Sequence, residues 1–170
     1  LNLPNSKKMV YQIGNLKINL TVYSYSPNYT PSSNLIKRIA FLPIWSQSEE
    51  ITITLWLSKK NKVLDFKRHQ RYIGPKEINS GCTTFIGPNK VSIWRREEVG
   101  KVILHELFHS LDLEHRHNLG EIEQWIYQHF DIRKNNQFTF FESMVESMAD
   151  IINTFLFLIF SIQNTKNKTL

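Results

Sequence analysis

The chain has 170 residues, 41% of them hydrophobic and 12% aromatic, enough for one domain with a substantial core. Its net charge is +6, but the basic residues are scattered over Lys7-Lys8, Lys59-Lys60, Lys62, Arg68 and Arg71, with no continuous stripe for specific nucleic-acid binding. The single cysteine, Cys82, excludes an internal disulfide, fits a reducing intracellular compartment, and reads as a small buried hydrophobe.

The chain opens Leu-Asn-Leu-Pro, without a basic-then-apolar signal pattern, and the missing initiator Met suggests a segment upstream. Residues 1–15 read as a flexible end. Leu16 to Tyr25 alternates apolar and polar residues and is a predicted strand, ended by Ser26-Pro27-Asn28. A helix is predicted from Asn34 to Trp45, with Pro43 disturbing its end. Ile51 to Leu57 is the clearest strand, and Lys59 to Gln70 is polar and irregular. Turn signals at Asn79-Ser80-Gly81 and Gly87-Pro88-Asn89-Lys90 precede two short strands, Cys82 to Ile86 and Val91 to Trp94.

A helix follows, with Glu97 and Glu98 expected in its first turn, where the helix dipole favours acids. From Val99 to Leu113 it is apolar nearly all round, which predicts burial. Asn118-Leu119-Gly120 breaks the chain, Glu121 to Phe130 is a short amphipathic helix, and Asp131 to Gln137 is a polar connection. Thr139 opens a last helix to about Ile162, and residues 163–170 read as a second flexible end. The run Ile151 to Ile162, interrupted by Asn153 and Thr154, falls short of the ~20 residues of a membrane span and reads as a core helix. The predicted order is β-α-β-β-β followed by three helices. That is a single α+β domain over residues 1–170, with a small, mostly antiparallel sheet packed on the buried helix. A monomer with no membrane contact is expected.

The buried helix carries His105-Glu106-Leu107-Phe108-His109. Residues i and i+4 share a helix face, so both imidazoles can hold one metal ion. Glu106 is then placed to take a proton from a water that the metal activates, the H-E-x-x-H pattern of zinc peptidases. Buried His and Glu need partners, and a shared Zn²⁺ supplies them. A catalytic zinc takes three protein ligands and keeps one position open.

Three residues, His115, Glu142 and Glu146, compete to be the third ligand. His115 stands six after His109, but the intervening position where a chain turns sharply on Gly is Asp112. The helix is therefore expected to continue, aiming His115 roughly 80° away from the other two rings. The last helix offers Glu142, Glu146 and Asp150 at steps of four on an otherwise apolar segment. A carboxylate row in such surroundings needs countercharge, which a zinc site would provide.

Together the two motifs resemble the gluzincins, the zincin branch whose third ligand is a glutamate on a second helix. That helix reads Glu, a small residue three later and an acid four later. Placed on Glu142 the pattern gives Val145 and Glu146; placed on Glu146 it gives Ala149 and Asp150. The resemblance implies Glu142 as ligand with Glu146 bracing a histidine, or Glu146 as ligand with Asp150 bracing. More narrowly, Ile78-Asn79-Ser80-Gly81 and Trp94-Arg95-Arg96-Glu97-Glu98, taken with both helices, are similar to zincin-like proteins of giant DNA viruses. Such a protein would work in host cytoplasm or virion.

The expected activity is that of a zinc peptidase with one ion, a peptide or protein substrate, and Glu106 as general base. Val91 to Trp94 would offer an edge to an extended peptide. Tyr127 or His129 would stabilise the oxyanion. The competing expectations are a zinc-binding but catalytically silent interaction protein, and a metzincin-type peptidase using His115.

Overall fold

Alternating apolar residues lay down a sheet with one covered face. In the computed structural model, which describes residues 2–59, 79–84, 90–114, 120–130 and 140–166, five strands form. They are β1 (Asn5–Ile13), β2 (Leu16–Ser24), β3 (Glu50–Trp56), β4 (Gly81–Thr84) and β5 (Lys90–Ile93). Every second residue of the central strands is buried: Leu16, Ile18, Leu20 and Val22 on β2, Ile51, Ile53 and Leu55 on β3. Each such side chain contributes roughly 1.5–3 kcal/mol by leaving water. On the opposite face the register partners Tyr23 and Trp56 stack with ring centroids 3.8 Å apart.

The strand order is β1-β2-β3-β5-β4. Pairing is antiparallel at both edges, β1 with β2 and β4 with β5, and parallel through the middle. The parallel β2–β3 pair follows from α1 (Ser33–Trp45), which carries the chain back to the starting end of the sheet. The Ser32 hydroxyl caps α1 by accepting from Leu35 N at 3.2 Å, and Pro43 sits buried in the last turn. The expected α+β class is present.

Two chain-end expectations need correction. Residues 5–13 form a full edge strand, with all nine residues in register on β2. Polar residues on its outward face, typical of a protected edge, concealed it. At the other end the last helix continues past 163 to Lys166.

Three more helices are α2 (Val99–Ser110), α3 (Gly120–His129) and α4 (Phe140–Lys166). Helix α2 packs against α1, β4, β5 and α4. Glu97 and Glu98 precede it instead of lying in its first turn: Glu98 occupies the N-cap position and accepts from the Ser80 hydroxyl. Helix α2 also ends earlier than expected. Asp112 adopts the left-handed conformation (φ 50°) that was expected only of a Gly at this position. Asp112 N donates to His109 O and Leu113 N to Phe108 O, the paired bonds of a Schellman cap. Aspartate tolerates this backbone better than most residues because its short polar side chain bonds locally. Asp112→Gly should therefore stabilise the fold by up to about 1 kcal/mol, whereas Asp112→Val should cost about 1–2 kcal/mol. Denaturant melts of the two variants check the sign.

Helix α4 is only partly core. Val145, Ala149, Leu156 and Phe160 are buried, but Ile151, Phe155, Leu158 and Ile162 are more than half exposed. Over Phe140–Gln163 the helix is long and apolar enough to cross a membrane by length and composition, at mean hydropathy 1.6 over its most apolar stretch. The reading of Ile151 to Ile162 as a core helix therefore holds for Leu156 and Phe160 and is corrected for the exposed residues between and beyond them.

Candidate metal centre

The helical period puts His105 and His109 on the side of α2 that faces α4. His109 is buried and His105 partly so. Their Nε2 atoms lie 3.1 Å apart, and each is 3.4 Å from Glu142 Oε2. A tetrahedral ion with bonds of ~2.05 Å has ligand–ligand edges of about 3.3 Å, which these three separations match. Among the described residues this is the one group of three or more His, Cys, Asp or Glu side chains close enough to hold a metal ion.

The far side of each ring is braced by a carboxylate. His105 Nδ1 is 2.9 Å from Glu146 Oε2, and His109 Nδ1 is 2.8 Å from Glu114 Oε1. A carboxylate only accepts, so each ring donates through Nδ1, and a neutral ring then carries its lone pair on Nε2. Two bare nitrogens and a carboxylate oxygen then point at one spot. Three lone pairs at such distances repel unless a cation lies between them, and the donor set fits one.

The Glu146 and Glu114 braces differ in setting. Glu146 is half exposed and also paired with Lys101, which reaches Asp150 at 3.3 Å. Burial alone would raise the Glu146 carboxyl, but Lys101 and then His105 outweigh it and hold it below its ordinary value. Asp150 thus acts on Lys101 and does not reach a ring. The Glu114 side chain is fully buried. Sequence reasoning missed it, because only the left-handed turn at Asp112 folds the chain back under His109. His115 lies outside the described residues.

Glu106 faces the sheet side of the same cleft. It is buried, and its Oε2 lies 2.8 Å from the Thr83 hydroxyl. That hydroxyl is also 2.9 Å from the Glu106 carbonyl oxygen, and its one proton serves one acceptor at a time. Burial raises the Glu106 carboxyl above its usual range, opposed by Thr83 and the two histidines. Gly81 is required here: a Cβ in its place would stand 2.8 Å from Glu106 Cγ and from Val102 Cγ1. The Asn79-Ser80-Gly81 turn signal was visible in the sequence, but this contact was not.

The cleft has a volume of about 900 Å³ and is lined by β4, α2 and the start of α4. Among the described residues its edge strand is β4; Val91–Ile93 belongs to β5, an interior strand between β3 and β4, and cannot offer the edge expected of it. Cys82 is exposed on β4 and is not a core residue. Partial desolvation of its Sγ against the cleft and then the Glu106 charge raise its pKa, which disfavours the thiolate a metal would need. Tyr127 and His129, the expected oxyanion donors, lie on α3 and do not line this cleft. The His129 ring stacks on Trp125 and its Nδ1 is 2.8 Å from the Trp125 carbonyl oxygen, so local packing holds it.

No protein-family model, curated protein or solved structure matches the chain.

Proposed function

We propose that the protein is a zinc-dependent peptidase of the gluzincin type, similar to the zincin-like proteins of giant DNA viruses. The observation that carries this reading is the convergence of His105 Nε2, His109 Nε2 and Glu142 Oε2 within 3.4 Å of one another beside a buried Glu106. Two imidazoles and one carboxylate with room for a further ligand are the donor set of a catalytic zinc. Bound there, zinc supplies Lewis acidity, polarising the scissile carbonyl and bringing the pKa of water toward ~7.

The chain's own residues do the rest. Glu106 takes a proton from the attacking water as the new C–O bond forms, then delivers it to the amide nitrogen as the C–N bond breaks. Burial raises its carboxyl above the usual carboxylate range, which favours taking up the proton. Thr83 fixes the carboxylate's orientation. Glu114 and Glu146 hold the two rings so that Nε2 faces the ion. An extended peptide adding to β4, the edge strand of the described sheet, would lay its backbone along the cleft.

The test is hydrolysis of an unfolded polypeptide by the zinc-loaded chain. Activity should vanish with a chelator and return with added zinc, at one zinc per chain. Stoichiometric zinc binding without cleavage of any unfolded polypeptide would instead identify a silent metal-binding protein.

A further inference from the structure

Helix α4 carries a second pattern unrelated to the metal cluster. Met148, Ile151, Phe155, Leu158 and Ile162 are exposed by 40%, 63%, 54%, 54% and 58%. Their spacing is 3-4-3-4, the period of a seam that another helix reads. They fall within an arc of about 80° and span about 21 Å of helix. Ser147, Thr154 and Ser161 run beside the row at steps of seven. Each hydroxyl donates to the carbonyl four residues back, at 2.8, 2.9 and 2.8 Å, so small side chains with internally satisfied hydroxyls flank the seam and permit close approach. Glu142 and Glu146 lie roughly 160–200° round the helix, so the metal cluster stays clear of whatever covers the row.

We infer that this row is the interface between two copies of the chain, packed as an antiparallel helix pair about a twofold axis at Phe155. The row is close to symmetric about that residue. Antiparallel pairing sets Met148 against Ile162, Ile151 against Leu158, and Phe155 against itself, the self-complementarity that a twofold interface requires.

Area supports a second copy as occupant. At ~200 Å² for a large apolar side chain, the exposures leave roughly 500 Å² of apolar surface on each copy. With the row fully covered, joining two removes roughly 1,000 Å², the least that a specific interface buries. Such a dimer replaces the monomer expected from the sequence and does not depend on the proposed peptidase activity.

Sedimentation of the full chain over a concentration series tests it. The parent should reach the mass of two chains, and Phe155→Glu should sediment as one with its helical circular dichroism unchanged. A second measurement decides the matter should Phe155→Glu lose helix. In a Cys82→Ser background, Phe155→Cys should cross-link into a covalent dimer on mild oxidation, and Phe157→Cys, on the other side of α4, should not. A single-chain mass at every concentration would overturn the inference, as would a dimer that survives Phe155→Glu. Monomer in buffer that floats with phosphatidylserine-containing vesicles would overturn it too, by assigning the row to a lipid surface.

Discussion

Glu106→Gln should lower peptide hydrolysis by about 10²–10⁴-fold while zinc stays at one per chain. The amide keeps the shape of the side chain, so Gly81 and Val102 still pack against it and the Thr83 hydroxyl still has an oxygen to donate to. What is lost is the group that accepts a proton. None of the three converging donor atoms belongs to Glu106, so metal affinity should change little. The comparison requires both readouts on one sample: zinc by chelator competition and cleavage of an unfolded polypeptide. A variant as active as the parent would remove Glu106 from the chemistry. A variant that loses zinc as well as activity would make Glu106 a structural support of the metal cluster.

How much of this was legible in the chain depends on the range over which each feature is encoded. The shared face of His105 and His109 is a local property of any helix, and the H-E-x-x-H pattern displayed it directly. The register of Glu142 was legible from the helix period. Choosing it over Glu146 required knowing how α4 packs on α2, which is a tertiary fact. In the structure the two acids take different parts: Glu142 Oε2 meets both Nε2 atoms, and Glu146 meets Nδ1 of His105.

Other features were hidden for physical reasons. Glu114 depends on a left-handed residue, and Asp112 gave no warning because most aspartates do not adopt that conformation. Strand β1 is half polar, so its nine residues resembled a loose end until β2 supplied a partner. The expected continuation of α2 through His115 fails at the same turn, since the helix is already capped at Asp112.

The two braces lead to the second large effect. Glu142→Ala should weaken zinc binding by well over ~100-fold, because on the gluzincin reading it removes a direct ligand, while losing a brace typically costs ~10–100-fold. Glu114→Gln should fall at the upper end of that range. Its side chain is fully buried, and a charge-assisted bond to His109 is stronger there than one in contact with water. Glu146→Gln should fall at the lower end, since Glu146 is half exposed and divides its carboxylate between His105 and Lys101. Asp150→Asn should do least, because Asp150 meets Lys101 and no ring. His115→Ala, on the gluzincin reading, should leave affinity nearly unchanged. Chelator competition on all five, with circular dichroism to confirm the fold, orders them. The braces also bear on which nitrogen is free. With Glu114 or Glu146 neutralised, the proton on Nδ1 is held less firmly and the ring can present the wrong tautomer, so zinc loss should come without loss of helix. A large effect from His115→Ala beside a silent Glu142→Ala would move the third ligand to His115. The close approach of Glu142 Oε2 to both rings would then be an ion pair with protonated histidines instead of a metal bond.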